Sequence, residues 1–135
     1  MALDAKGRLS IPARYREALL EACGGKLALF RHDEGCLKLL PWPAWESLEA
    51  QLMDLPDEAA KFKRLYLGSK ADLELDAASR VLIPPELREA ARLVRDVALV
   101  GVGSHFELWD KQQLDADLGG LSGAPKPDAV KALRY

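Results

Sequence analysis

The sequence has few of the residues that mark several common classes of protein. Among 135 residues there are 2 cysteines and 2 histidines, and no apolar run approaches the roughly 20 residues needed to span a bilayer. Two cysteines do not make a disulfide framework, and the N-terminus, MALDAKGR, has no apolar signal segment. We therefore expect a cytoplasmic protein with no membrane contact, in which Cys23 and Cys36 are reduced, partly buried thiols.

An excess of positive charge is also lacking. The chain has 19 Lys and Arg against 21 Asp and Glu, for a formal net charge of -2. Nucleic-acid-binding domains are often strongly basic, so any such site here has to be a local patch. The apolar content of 49% is enough for a continuous core in a chain of this length.

An internal repeat organises the chain. LDAKGRLSIPARYREA, which starts at Leu3, and LDAASRVLIPPELREA, which starts at Leu75, are identical at nine of sixteen positions, at an offset of 72. A weaker similarity follows, between residues 26–40 and 96–109. Each half therefore has the same order of parts, which predicts two copies of one structural unit.

Each repeated block predicts a turn, a short strand and a helix. Asp4 and Asp76 are suited to structural turns because an aspartate side chain can bond its own backbone two residues on, and Gly7 tolerates a positive φ. Residues 8–11 and 80–83 are aliphatic enough for strands that end at a proline. The following helices have apolar residues at i, i+3, i+4 and i+7, in the sets Tyr15, Ala18, Leu19, Ala22 and Leu87, Ala90, Ala91, Val94.

The remaining segments predict hairpins and connecting helices. Residues 27–30 with 37–40, and 97–100 with 106–109, read as strands around turns. Helices are predicted over 42–53, over 57–67 with Gly68 just past the end, and over 111–118. We divide the chain into a first repeat at 1–53, a helical linker at 54–69, a second repeat at 70–118 and a mobile C-terminal tail at 119–135.

Arginines occupy two fixed places in the repeated block. Arg8 and Arg80 follow the turn, and Arg16 and Arg88 lie in the helix, while the first copy adds Lys6 and Arg14. Guanidinium groups bind phosphate through paired hydrogen bonds and read guanine in the major groove. The pattern predicts a local basic patch that contacts a polyanion, with the arginines at the turn-to-strand junctions as its strongest members.

The doubled pattern Asp-x-Lys-Gly-Arg-x-x-x-Pro-x-x-x-Arg resembles the MraZ family, bacterial regulators of the division and cell-wall gene cluster within the AbrB-like superfamily. The resemblance covers about residues 3–118. It implies an α+β fold, a swapped-hairpin (double-psi) AbrB-like β-barrel formed by two internal repeats with connecting helices. It also implies a homo-oligomeric ring that binds direct repeats in promoter DNA as a non-enzymatic, nucleoid-associated regulator, with repression as the expected direction of regulation. The DNA-contacting residues carried over are Lys6, Arg8, Arg14, Arg16, Arg80 and Arg88.

The chain departs from the family pattern in two places. Ala78 and Ser79 stand where the second copy's lysine and glycine are expected, so that copy offers less charge. The family has a strand before the first aspartate, whereas only Met1, Ala2 and Leu3 precede Asp4 here. Either the chain begins short of its natural start or the first half lacks its opening strand, and the second case exposes a barrel edge.

Other functions fit the sequence less well. The arginines could form ordinary surface ion pairs with Asp4, Glu17, Asp76 and Glu89. The main competing function is a protein-interaction module of the same superfamily, like an antitoxin whose tail binds a partner and whose fold binds DNA only incidentally. A hydrolase would need a nucleophile with a matched base, which neither the turn aspartates nor His32-Asp33 provide. Cys23, His32, Cys36 and His105 lack the spacing of a metal site, Gly101-Val-Gly-Ser lacks a dinucleotide fingerprint, and no cofactor is expected. Trp42, Trp45 and Trp109 are expected to fill a core or a subunit interface.

Overall fold

A computed structural model describes all 135 residues. Seven strands and six α-helices follow one another along the chain, with a 3-10 turn at Asp57–Ala59 before the third helix. In chain order they are β1 (Arg8–Ser10), α1 (Ala13–Cys23), β2 (Lys26–Arg31), β3 (Leu37–Pro41), α2 (Trp42–Met53), α3 (Ala60–Ser69), β4 (Ala71–Glu74), β5 (Arg80–Leu82), α4 (Pro85–Ala90), β6 (Val97–Gly101), β7 (Phe106–Asp110), α5 (Lys111–Gly119) and α6 (Asp128–Lys131).

The strands form two antiparallel sheets. Five of them lie in the order β4-β2-β3-β7-β6, and β1 pairs with β5 in a separate two-stranded ribbon. The α+β class predicted from the sequence is therefore correct. The barrel is not confirmed, because both sheets are open and no pairing joins them into a closed cylinder.

The two repeats interlock across this arrangement. In the larger sheet, the hairpin of β2 and β3 joins the hairpin of β6 and β7 through the pairing of β3 with β7, and the ribbon again takes one strand from each repeat. β4 covers the outer edge of β2, with Glu74 opposite Lys26. On the other edge the equivalent contact is a single bridge between Ala2 and Asp96. Each repeat therefore completes its sheets only with the other.

Strand β2 lies between two separate apolar cores. Its side chains alternate, so that Leu27 and Leu29 pack into a large cluster with the buried face of the ribbon, while Ala28 and Phe30 pack under α2. Each fully buried leucine contributes roughly 1.5–3 kcal/mol. The ribbon is thus anchored to the larger sheet by apolar packing on one face, which leaves its other face free.

Most of the predicted elements are confirmed. α2 has the predicted bounds, and α1 ends at Cys23, where Gly24 caps it in the left-handed conformation with a φ of 63°. Trp45 and Trp109 are buried as expected, while Trp42 is half-buried with the ammonium of Lys26 3.8 Å from its ring centroid. All three tryptophans therefore pack in or against the core, because Trp42 also contacts the buried cluster under α2.

Two predictions about the helices were wrong. α4 ends at Ala90, because Arg92 adopts a left-handed φ of 58° and the backbone N–H of Leu93 donates to the carbonyl of Arg88. Leu93 is buried instead, and Val94, predicted for the apolar face of the helix, is 86% exposed. α3 continues through Gly68 to Ser69 rather than ending before it.

The apolar face of α1 also differs from the predicted one. Leu19 is buried and Tyr15 half-buried, but Ala18 and Ala22 are exposed, and half-buried Cys23 takes part in the core instead. Cys36 is buried, and burial raises the pKa of its thiol to about 12. Residues 119–135 lie almost entirely exposed and include the single turn of α6. No helix is both long and apolar enough to cross a membrane.

Candidate nucleic-acid interface

The ribbon of β1 and β5 has one buried and one exposed face. Its central pair, Leu9 opposite Val81, is fully buried. Because successive side chains of a strand alternate between faces, the residues on either side of this pair share the opposite surface. That outward surface, which we call the ribbon face, carries Arg8, Ser10, Arg80 and Leu82. The two arginines that follow the turns are therefore diagonal neighbours on one surface.

A carboxylate holds the first of these arginines in place. Oδ1 of Asp4 accepts hydrogen bonds from the backbone N–H groups of Lys6 (2.9 Å) and Arg8 (2.8 Å), and Oδ2 accepts one from Nε of Arg8 (2.6 Å). These bonds lower the pKa of Asp4, the largest cause being the backbone N–H of Arg8. Asp4 thus closes the turn and orients the guanidinium at the same time.

The second turn repeats this geometry. Oδ1 of Asp76 accepts from the backbone N–H groups of Ala78 and Arg80 at 2.9 Å each, and Oδ2 accepts from Nε of Arg80 at 3.0 Å. The pKa of Asp76 is lowered, again chiefly by the backbone N–H of the arginine. Ser79 adopts a φ of 58° where the first turn has Gly7 at 82°. Ser79 therefore adopts the left-handed conformation that usually favours glycine, and the second turn has the same shape as the first.

The ion pairs leave much of each guanidinium free. The Asp4 and Asp76 contacts engage only Nε, and the side chains of Arg8 and Arg80 remain 30% and 33% exposed. A guanidinium has five N–H donors, so the terminal nitrogens can still bind a partner. Of the surface ion pairs considered for the arginines, these two are present, whereas Glu17 and Glu89 form none.

The helix arginines anchor to the ends of the ribbon strands. Nε of Arg16 donates to the carbonyl of Ile11 (2.6 Å), and Nε of Arg88 donates to the carbonyl of Ile83 (3.0 Å). The guanidinium of Arg88 lies so close over Gly7 that an added Cβ there would be 2.5 Å from its Cζ. The helix arginine of the second repeat therefore packs against the turn of the first repeat.

The same crossing occurs at the opposite end of the ribbon. The backbone N–H of Ile11, whose carbonyl holds Arg16, donates to the carbonyl of Ser79, next to Arg80. We call Lys6, Arg8 and Arg88 the first cluster, and Arg16 and Arg80 the second cluster. Lys6, Arg8 and Arg16 are close in the chain, which predicts that they share one patch. The structure instead divides them between the two ends of the ribbon.

Arg14 is the predicted DNA-contacting residue that joins neither cluster. It is exposed on α1, and its guanidinium lies over the ring of Tyr15, 4.8 Å from the centroid. Tyr15 packs edge-to-face on Phe106 of β7, with ring centroids 4.7 Å apart. Arg14 thus lies over a tyrosine that packs on the larger sheet, and it has no ion pair.

Two residues of the ribbon face were not singled out from the sequence. Ser10 and Leu82 occupy equivalent positions in the two repeats, two residues after each turn arginine. The alternation of side chains in a strand, applied to the arginine positions, would have placed them on the same surface. That requires knowing that β1 and β5 are partners, which only the structure provides.

A cavity of about 440 Å³ lies elsewhere, between the larger sheet and α2. Lys38 forms an ion pair with Glu107 beside it, and its Nζ lies 3.4 Å from Nε2 of His105. Burial, followed by the charge of Lys38, lowers the pKa of His105. The ring of His32 stacks parallel to that of Tyr66 in the same cavity. No group of three or more His, Cys, Asp or Glu side chains is arranged to hold a metal ion.

The sequence as a whole matches one family. The family model described as "MraZ protein, putative antitoxin-like" matches twice, over residues 1–67 and 65–116. The turn, ribbon and helix arginines of both repeats lie inside these two matches. The family match therefore includes both strands of the ribbon, one from each half of the chain.

Individual relatives agree over the full length. A protein from Ralstonia pickettii is 51% identical over 135 residues, covering 100% of this chain and 95% of its own length. One from Leptothrix cholodnii is 48% identical, again over the whole of this chain and 92% of its own. Both are named transcriptional regulator MraZ. Two matches to the family model and relatives at this level of identity show that the chain belongs to the MraZ family.

Proposed function

We propose that the protein is a transcriptional regulator that binds double-stranded DNA through the ribbon face and the two clusters at its ends. The regulatory role is supported by relatives that bear that name. The observation that carries the DNA-binding role is the placement of Arg8 and Arg80 on one exposed surface, each oriented by a carboxylate.

The shape and chemistry of this surface suit the major groove of B-DNA. The groove admits a two-stranded β-ribbon, and an arginine there binds guanine O6 and N7 through two hydrogen bonds. Asp4 and Asp76 fix the direction of the arginines before DNA arrives, so less side-chain freedom is lost on binding. Lys6 is exposed and unpaired beside Arg8, and suits a phosphate contact.

The finer part of the proposal follows from the family. We infer that the two repeats form an AbrB-like swapped-hairpin unit, that several copies of the chain assemble into a ring, and that the ring binds direct repeats in the promoter of a division and cell-wall gene cluster. The contact of Arg88 with Gly7 and the backbone bond from Ile11 to Ser79, both of which join the two repeats, support the swapped relation. Linked weak contacts raise overall affinity by roughly 10² to 10⁴, which suits a chain with little net positive charge.

A titration of labelled DNA from the protein's own upstream promoter region tests the function. We expect specific binding by the natural protein, measured by fluorescence anisotropy, and its loss in Arg8→Ala. Each bidentate contact to a base is worth about 1–3 kcal/mol, so Arg80→Ala should weaken binding by a factor of roughly 5 to 150.

Arg64→Ala is the matched control, because it removes the same charge from an exposed position on α3, outside both clusters. It should bind DNA like the natural protein. Undiminished binding by both Arg8→Ala and Arg80→Ala would contradict the proposal. An equal loss in Arg64→Ala would show that overall charge, rather than the ribbon face, attracts the DNA.

A further inference from the structure

The ribbon face is symmetric in its arginines but not in the residues between them. Residue 10 in the first repeat corresponds to residue 82 in the second, at the offset of 72 that relates the two blocks. One is serine and the other leucine, although both are exposed. The buried face of the same ribbon is apolar in both repeats, with Leu9 and Val81. Within the two ribbon strands, it is on the outward surface that one half has a polar side chain where the other has an apolar one.

Leu82 departs from the pattern of a half-buried strand. Such a strand has polar residues on its outer face, and Ser10 of β1 follows this pattern. The Leu82 residue is 54% exposed, and it lies directly opposite Arg8 in the ribbon pairing. A single exposed leucine is ordinary on a protein surface. This one is placed between two oriented guanidinium groups, on the surface that we propose enters the major groove.

We propose that Leu82 determines base specificity by contacting the C5-methyl group of a thymine; this inference rests on the proposed function. In the major groove, thymine is the base that presents a methyl group, and apolar side chains recognise it by contact. Arg8 across the ribbon and Arg80 along the strand flank Leu82 with groups suited to guanine or phosphate. Ser10, at the equivalent place, offers a hydroxyl to a base edge or a phosphate instead.

The difference gives the ribbon a direction on DNA. A symmetric ribbon would fit a site equally well in both orientations, because the symmetry of a site mirrors the symmetry of its protein. Here the end with Lys6, Arg8 and Arg88 differs from the end with Arg16 and Arg80, and leucine differs from serine between them. Such a surface favours a non-palindromic sequence read in one orientation.

A double-mutant cycle between protein and DNA tests the role of Leu82. Each thymine of the bound promoter fragment is replaced in turn by uracil, which lacks only the methyl group, and affinity is measured by fluorescence anisotropy. For the natural protein we expect one replacement to weaken binding by about fourfold, the effect of losing one buried methyl group. For Leu82→Ser, which copies the first repeat, the same replacement should have no effect.

Ser10→Ala is the matched control on the opposite strand, and it should retain the full sensitivity to that uracil. Thermal melting of each variant checks that folding is unchanged, as expected for exposed residues. The inference would be overturned if Leu82→Ser, compared with the natural protein, lost affinity for the thymine fragment and the uracil fragment by the same factor. It would also be overturned if no uracil replacement changed the affinity of the natural protein. Absence of any specific DNA binding by the natural protein would instead overturn the proposed function, so the two failures are distinguishable.

Discussion

At the residue scale, each turn aspartate has two tasks. Asp4 accepts hydrogen bonds from two backbone N–H groups and from the side chain of Arg8. The bonds from the backbone N–H groups shape the turn, the bond from Nε holds the guanidinium, and both kinds favour the charged carboxylate. A structural aspartate and a binding arginine are therefore parts of the same arrangement, and an ion pair between them does not by itself remove the arginine from a binding surface.

The two tasks of Asp4 can be separated by substitution. Asp4→Asn keeps an oxygen that accepts the backbone N–H groups but loses the charge, so we expect a small change in melting temperature and a clear loss of DNA affinity. Asp4→Ala removes both and should lower the melting temperature further. Comparable melting temperatures for the two variants would show that the turn bonds contribute nothing to stability.

The same carboxylates give stability a dependence on acid pH. The folded pKa values of Asp4 and Asp76 are lowered below 3.8, so their stabilising contribution is present above that value and is lost as the pH falls through the folded pKa. NMR titration of the side-chain carboxyls measures the shift directly. Thermal unfolding of Asp4→Asn should decline less steeply than that of the natural protein over the same acid range.

At the element scale, the two turns place different residues at the same left-handed backbone position. Gly7 has a φ of 82° under the guanidinium of Arg88, whereas Ser79 has a φ of 58°. A side chain at a left-handed position costs roughly 1–2 kcal/mol, because its Cβ approaches the following carbonyl oxygen. Gly7 has no Cβ, so the first turn does not have this cost, whereas Ser79 in the second turn does.

We therefore expect substitutions at these two positions to have opposite effects on stability. Gly7→Ala should destabilise the protein by about 1–2 kcal/mol and displace Arg88 from the carbonyl of Ile83, which would also weaken DNA binding. Ser79→Gly relieves the strain and should leave the melting temperature equal or higher. Chemical denaturation measures both changes. A Gly7→Ala variant as stable as the natural protein would contradict the predicted strain.

At the scale of the whole molecule, a chain with a net charge of -2 binds DNA in our proposal by local concentration of cations. The first cluster has three cations and the second has two, and each combines residues from both repeats. Neither repeat alone has a complete cluster. The intimate pairing of the repeats is therefore a condition for binding as well as for folding.

The salt dependence of DNA binding measures how many of these cations meet phosphates. The logarithm of the binding constant should fall with the logarithm of salt concentration, with a slope near -0.9 for each phosphate neutralised. Lys6→Ala should make the slope shallower by about 0.9 per bound chain and weaken binding to all sequences alike. Arg64→Ala, outside both clusters, should leave the slope unchanged.

The amino-acid sequence alone determined the repeat, the turns and the bounds of α2, because each depends on residues close in the chain. It also identified the arginines of both turns. Even the early end of α4 depends on local geometry, but Arg92 takes a left-handed conformation there without the glycine that normally marks such an end. The sequence gives no comparable indication at that point.

Only the tertiary structure decided which residues form each end of the ribbon. β1 pairs with β5, 72 residues away, so Arg88 meets Gly7 and the strand end that holds Arg16 meets Ser79. It also placed Leu82 beside two arginines on one exposed surface. Local propensities carry no information about which distant strand becomes the partner. That choice is made by burial of Leu9 and Val81 against the larger sheet, which is a property of the whole fold.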